Sequence, residues 1–257
     1  MKNTILSLLC IFLLTPSVCA VEPALADSAY NNEQYGEAIS LYSQVLNEFG
    51  ASTDVYYNLG NAYYRRGNLA QSILNYERAL RVDPTNEDAR ANLAFVKARL
   101  QDKIEDGNSV FGNLHHDVVC AFTANTWAWV ALISFITLCA AVALYIFSGN
   151  VLLRKLGFFG GIILIFVVIY MLVVASDART RLNDHSEAIV TAPSTMLNSS
   201  PRQPKQTEKV VPIHEGTKVQ IIDSIATPDD PVSPRYYKVR LNGSTPAWLR
   251  ATDVERI

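Results

Sequence analysis

The chain has 257 residues, a hydrophobic content of 49 % and a formal net charge of −2. That length holds one large domain or two small ones, and the near-neutral charge excludes the basic excess expected of a nucleic-acid partner. The charge is unevenly spread, because Asp, Glu, Lys and Arg are all missing from Val118 to Leu153 and again from Leu156 to Ser176.

Residues 21–117 carry 14 acids against 8 Lys and Arg, whereas residues 177–257 carry 10 against 11. An acidic N-terminal block repels anionic lipid and nucleic acid alike. Cys10 and Cys19 lie in the apolar leader, and Cys120 and Cys139 lie beside or within the first long apolar run. The two charged blocks therefore have no disulfide framework and no thiolate metal site to offer.

Residues 1–20 place Lys2 before an apolar stretch and then Val18-Cys19-Ala20. This order predicts a secretory signal peptide cleaved after Ala20. A lipoprotein signal with Cys19 lipidated is the alternative; an uncleaved anchor would leave the topology unchanged.

Residues 21–106 repeat with a period of 34: Tyr35, Ala38, Tyr42 and Leu46 recur as Leu69, Ser72, Tyr76 and Leu80. The middle copy has Tyr56, Leu59-Gly60, Tyr63, Ser72, Tyr76, Ala79 and Pro84. In length and pattern it resembles a tetratricopeptide repeat. The spacing predicts paired antiparallel helices, with Gly67 ending the first and Asp83-Pro84 the second. Leu25, Ala26 and Ala29 fill the core positions of a degraded first copy, and a single helix over 87–104 caps the stack with Leu93, Ala94 and Leu100. About two and a half repeats fall short of the three usually needed for stability. The membrane, a second protomer or a partner is expected to supply the remaining burial.

In tetratricopeptide proteins the first helix of each repeat lines a concave groove. The resemblance places Asp54, Tyr57, Asn61, Tyr64 and Arg65 there, with Asp27, Tyr30 and Asn31 from the first copy and Asp88 and Phe95 from the third helix. Aromatic faces and amides of this kind suit a peptide or a helix; a solvated helix face is the alternative.

Residues 107–126 form a juxtamembrane segment with Phe111, Leu114, Val118 and Phe122 on one helical face, suited to a bilayer interface. His115 and His116 are adjacent, so on a helix they point about 100° apart and do not readily share one metal ion. Residues 127–147 and 156–176 are 21-residue uncharged runs, each about 32 Å long as a helix, which matches a hydrocarbon core of about 30 Å. They predict a transmembrane hairpin with a short cytoplasmic loop at 148–155. Arg154-Lys155 and Arg179 with Arg181 nearly tie the positive-inside count. The export signal breaks the tie and places both soluble blocks on the outer, periplasmic side of the inner membrane. Gly157, Gly160 and Gly161 either admit close helix approach or are simply tolerated in lipid.

Residues 185–257 change to a strand period, with short strands predicted at 188–190, 209–213, 218–225, 236–241 and 247–249. Asn242-Gly243 signals a hairpin, and the stretches 199–206 and 227–234 read as Pro-rich loops. HEGTKVQII, YYKVRLNGSTPAWL and TDVERI resemble a bacterial SH3-like barrel. Tyr236 and Trp248 are the candidate contact residues, with Trp248 as plain core the alternative. His214-Glu215 lacks a second histidine for a metalloprotease motif, and the chain shows no phosphate loop, nucleophile elbow or carboxylate cluster. No enzyme activity, cofactor or metal site is expected.

The fold expected is thus a multidomain membrane protein: an all-α tetratricopeptide array, a two-helix transmembrane hairpin and an all-β SH3-like barrel. This layout, with DPTNEDARANL, NTWAW and HEGTKV, resembles the Bacteroides aerotolerance (Bat) family. The resemblance implies a membrane complex with proteins carrying von Willebrand A domains, associated with aerotolerance and stress. It suggests a non-enzymatic protein–protein adaptor. The alternative is a cell-wall sensor whose SH3-like domain binds peptidoglycan stem peptides.

Overall fold

The computed structural model describes residues 22–102, 110–201, 210–227, 230–241 and 245–257, with backbone only for 110–113, 227 and 230–234. The expected leader, the Phe111 side chain, most of the loop at 199–206 and the Asn242-Gly243 turn lie outside the described residues or side chains.

Five helices come first: α1 (Pro23–Asn31), α2 (Tyr35–Phe49), α3 (Thr53–Arg65), α4 (Leu69–Val82) and α5 (Glu87–Lys97). Small residues set their spacing. A Cβ on Gly60 of α3 would stand 2.7 Å from the ring of Tyr76 in α4, so the two helices touch where only glycine fits. Gly67 takes φ +78° beyond the end of α3, a conformation that costs other residues dearly. The side chains of Asn68 and Asn86 then cap α4 and α5 by accepting from Gln71 N (3.0 Å) and Ala89 N (2.8 Å), which satisfies amides that the helix cannot. Ala26, Ala29, Ala38, Tyr42 and Val45 are buried, but Leu25, expected in the core, is exposed. The third helix stops at Lys97, short of the expected residue 104, because the chain turns there and sends Leu100 and Asp102 towards the C-terminal sheet.

Next come α6 (Val110–Cys120), α7 (Ala124–Phe147) and α8 (Val151–Asn183). Only 6 % and 17 % of the most apolar windows of α7 and α8 are buried against the rest of the chain, unlike a soluble core helix. Both are long and apolar enough to cross a membrane. At 1.5 Å per residue α8 is about 50 Å long, well beyond a hydrocarbon core of about 30 Å. Its C-terminal end therefore has length to project from a bilayer. Gly157 is packed tightly: a Cβ there would lie 2.7 Å from the Ala141 carbonyl oxygen. Gly160 and Gly161 face open space, so the close-approach reading applies to one of the three glycines. Alongside α8, helix α6 buries Val119 with Trp127, Val174 and Ala178.

The remaining chain forms β1 (Glu187–Val190), β2 (Ser194–Leu197), β3 (Val211–His214), β4 (Lys218–Thr227), β5 (Asp230–Arg240), β6 (Ala247–Arg250) and β7 (Val254–Arg256), with a 3-10 turn at Ala251–Asp253. One antiparallel sheet has the order β6-β5-β4-β1-β7, and β2 and β3 pair separately. Leu197 and Ile213 of the small ribbon pack on Val190, Val219, Tyr237, Val239 and Leu249 of the large sheet. The ribbon is joined to it by one bridge, Asn198 to Trp248. The closed barrel expected from the sequence is not found among the described residues: β7 ends the sheet by pairing with β1 alone. The stretch read as a loop at 227–234 is mostly strand, the distal part of the β4–β5 hairpin.

The sheet does not stand apart from the helices. Ile189 of β1 and Ile257 share one apolar cluster with Ile73, Leu74, Tyr76, Leu93 and Val96. Gly216, at φ +82°, lets the β3–β4 turn sit against Leu100 and Ile73; a Cβ would stand 2.5 Å from Leu100. The burial missing from the short array thus comes from the chain's own C-terminal block, an occupant the sequence reading did not consider.

Candidate functional site: the two faces of the helical array

A run of aromatic side chains follows the first helices of the repeats, α1, α3 and α5, and takes in Tyr35 at the start of α2. Tyr30 and Tyr35 meet edge to face at 5.4 Å. Over Tyr35 lies the guanidinium of Arg65, 5.2 Å from the ring centroid, and its Nε donates to the Tyr35 hydroxyl at 2.9 Å. At the other end Tyr64 and Phe95 meet at 5.9 Å. Arg99 lies 4.0 Å from the Phe95 centroid and donates to the Tyr64 hydroxyl. Each arginine is therefore held on an aromatic face, an arrangement that adds cation–π attraction to hydrogen bonding.

Between these ends sits a polar core. The Tyr76 hydroxyl donates to Asn61 Oδ1 at 2.5 Å, and Asn92 Nδ2 donates to the same oxygen at 3.0 Å. Burial pushes the Tyr76 hydroxyl up to about 12, which keeps it a donor. Asn61, expected to bond a partner's backbone, instead has its oxygen already occupied twice. Tyr57 is half-buried against Tyr76, at 6.0 Å between centroids. Asp27 is likewise committed, accepting from the Tyr42 hydroxyl at 2.6 Å and from Asn58. Asn31, Asp54, Arg65 and Asp88 are exposed, and Phe95 is 52 % exposed. The surface expected to meet a partner is therefore narrower than the sequence suggested. It loses Asp27, Tyr57 and Asn61 to contacts within the array, and gains Arg99 beside Tyr64 and Phe95. Sequence reasoning missed Arg99 because it carried one helix on to residue 104, whereas the chain turns after Lys97 and brings Arg99 onto Tyr64 and Phe95.

The opposite face, on α4 and α5, is covered by the C-terminal sheet through buried and half-buried charges. Glu77 receives Lys97 at 2.6 Å and Lys218 at 3.2 Å; Lys218 also meets Glu187 at 2.9 Å. Burial pushes the Glu77 carboxyl up, but Lys218 and Lys97 outweigh it and hold the group at about 2. Burial also depresses Lys218, and Glu77 and Glu187 more than reverse that. Arg81 bonds Glu187 at 3.1 Å and the Ile257 carbonyl at 2.5 Å. Arg78 bonds Glu255 at 3.0 Å and the Arg256 carbonyl at 2.7 Å. At the turn before β4, Asp102 accepts from His214 N (2.7 Å) and Thr217 Oγ1 (2.9 Å), and its second oxygen lies 2.9 Å from His214 Nδ1. Arg181, near the end of α8, donates to the Leu80 carbonyl at 2.8 Å. A cavity of about 730 Å³ remains beside this seam, lined by Tyr56, Tyr63, Arg78, Arg81 and Arg256 among others.

Of the two sheet residues expected to contact a ligand, Tyr236 is buried, at 5 % exposure. Its hairpin strand β5 runs between β4 and β6, so the residue belongs to the packing and not to a contact face. Trp248 is half-buried on the edge strand β6, with Lys238 Nζ 5.8 Å from its ring. His115 Nε2 is 2.9 Å from Asp177, whereas His116 faces Cys120 at 3.5 Å; the two imidazoles have different partners. Among the described residues no group of three or more His, Cys, Asp or Glu converges as a metal ion requires.

The family model described as TPR repeat matches residues 60–101. That span takes in the last six residues of α3, all of α4 and α5, and the side chains Asn61, Tyr64, Arg65, Phe95 and Arg99. A comparison with curated proteins found no match.

Proposed function

We propose that this protein is a non-enzymatic, membrane-anchored adaptor whose open aromatic–arginine face receives a segment of another protein. One observation carries the reading: the array's two faces are unequally occupied. The α4–α5 side is sealed by the chain's own sheet, whereas Phe95, Arg65 and Arg99 on the other side stay exposed. Repeats of this kind are interaction modules, and rigid aromatics with Arg are the side chains that dominate such contacts.

In this reading α7 and α8 span the inner membrane and both soluble parts stand on the periplasmic side. An even number of spans returns the chain to its starting side, which suits a sheet docked on the repeats. The partners are members of a Bat-type envelope complex linked to aerotolerance and stress, among them proteins with von Willebrand A domains. The open sheet is an SH3-like module. Because it shares a core with the repeats, it and the array present surfaces in fixed relative positions and not as two modules on a tether.

A photo-crosslinking residue at Phe95 in native membranes, followed by mass spectrometry, tests the adaptor role. Cross-links to neighbouring membrane-complex proteins are expected. Cross-links from an exposed site elsewhere on the array, but none from Phe95, would remove the groove. Protease added to intact spheroplasts should digest both soluble parts. Survival of either would overturn the sidedness. The sensor alternative keeps half-buried Trp248 but loses Tyr236. Retention of the detergent-solubilised full chain on sacculi, abolished by Trp248→Ala, would favour it.

A further inference from the structure

The turn between α7 and α8 holds a second concavity, about 330 Å³, lined by Tyr145, Val151, Arg154, Lys155, Phe158 and Phe159. Its walls are aromatic: Tyr145 and Phe158 lie 5.6 Å apart, and Phe158 and Phe159 meet edge to face at 5.2 Å. The Arg154 guanidinium lies 5.8 Å from the Tyr145 centroid. Two neighbouring cations thus share one small pocket with a largely apolar lining.

Among the described residues no acid is near enough to neutralise them. The nearest carboxylates in sequence are Asp117 and Asp177. Lys155 and Asp177 are both in α8 and 22 residues apart, or about 33 Å along the helix. Among the described residues neither Arg154 nor Lys155 makes an ion pair within 4.0 Å. Two adjacent uncompensated cations repel each other, and a low-dielectric surround strengthens that repulsion. None of the described residues supplies the counter-charge.

We propose that this pocket binds the headgroup of an anionic phospholipid. Arg154 and Lys155 hold its phosphodiester, and Phe158, Phe159 and Val151 pack on the glycerol and upper acyl chain. The inference rests on the reading that α7 and α8 cross a membrane. That reading sets the pocket at the depth where phosphates lie, with exposed Phe147 and Phe159 beside it. Arginine suits the planar, bidentate part of such a contact, and lysine adds a point charge. Basic pockets between spanning helices are a recurrent way of taking such headgroups.

The test uses the full chain in an uncharged detergent. Phosphatidylglycerol and phosphatidylcholine of identical acyl chains are titrated in, and bound lipid is counted by native mass spectrometry. The expected result is a preference for phosphatidylglycerol on the order of 30-fold, from about 1 kcal/mol for each of two cations. Arg154→Gln with Lys155→Gln should abolish it. Equal binding of the two lipids by the unaltered chain overturns the proposal whether or not the variant inserts correctly. So does an undiminished preference in the double variant. Stabilisation by inorganic phosphate alone, without lipid selectivity, would overturn the lipid assignment. Alkaline carbonate extraction separates the two premises. Release from membranes removes the spanning reading itself, whereas an embedded chain indifferent to headgroup removes only this site.

Discussion

The covered and open faces of the array are built from the same repeats, yet they use charge in opposite ways. On the covered face, Glu77 sits between Lys97 and Lys218 and is largely withdrawn from water. On the open face, Arg65 and Arg99 lie on aromatic rings with their charge uncompensated by an ion pair among the described residues. A buried charge must be paired to be tolerated, so pairing marks a finished contact. An arginine stacked on a ring is held in one place with its charge still open to solvent, which is what the proposed interaction surface would need. Both faces are fixed by side chains from neighbouring helices; among the described residues only one has its counterpart in the same chain.

The largest effect is expected where the finished contact is broken. Glu77→Ala leaves Lys218 with Glu187 alone and strips Lys97 of its partner. Breaking a buried pair from one side costs about 3–5 kcal/mol, and the surviving Glu187 contact points to the lower end. Thermal melting of the full chain in detergent should show that loss, with amide exchange rising in β1 and α4 together. If the two segments loosened independently, the shared core would not be a cooperative unit.

Acid should act on the same node. Glu77 has a folded value of about 2 against an ordinary value of 4.5, so its contribution is complete above about 4.5 and fades as pH falls towards about 2. At about 1.4 kcal/mol per pKa unit this amounts to roughly 3 kcal/mol. Asp102, lowered because bonds from His214 and Thr217 outweigh its burial, adds in the same direction. A melting temperature that stays flat between pH 5 and pH 2.5 would mean that Glu77 is not held by its lysines.

Asn61→Ala sharpens the comparison from the middle of the molecule. Sequence reading treated Asn61 as a free ligand for a partner. The structure instead makes it the acceptor for Tyr76 and Asn92. Removing it orphans the buried Tyr76 hydroxyl, at a cost of about 1–3 kcal/mol. A stability loss of that size, with partner capture lowered only in proportion to folded protein, is expected. Full stability with lost capture would restore Asn61 to the binding surface.

Much of the array was legible because its constraints are local. A 34-residue period, Gly60 opposite Tyr76 and Gly67 after α3 are all consequences of helix packing that leave a mark in the sequence. The apolar runs at 127–147 and 156–176 were legible for a similar reason, since lipid-length helices need no partner information. What could not be read was long-range. Glu77 occupies an ordinary helical position, and its burial depends on Lys218, 141 residues away. Tyr236 was expected to meet a ligand, yet it and its neighbour Tyr237 are both buried. β2 was missed because Ser194–Leu197 is four residues long with a weak pattern, and Thr195 is buried through its bond to Asp253 at 2.5 Å.

The smallest effect on stability should accompany the largest effect on recognition. Phe95 and Arg65 are both exposed, and surface substitutions away from buried networks usually stay within about 0.5 kcal/mol. Phe95→Ala with Arg65→Ala removes one aromatic and one stacked cation from opposite ends of the open face without touching Asn61, Tyr76 or the sheet. The doubly substituted chain should melt within about 2 °C of the original, because about 0.5 kcal/mol shifts a chain of this size by only a degree or two. Capture of neighbours from native membranes should fall at least about ten-fold, since the few residues that dominate an interface each cost more than about 1 kcal/mol when truncated. Equal loss of stability and capture would mean that the aromatic run helps hold the array together, and that the open face is the outside of a fold and not the inside of an interface.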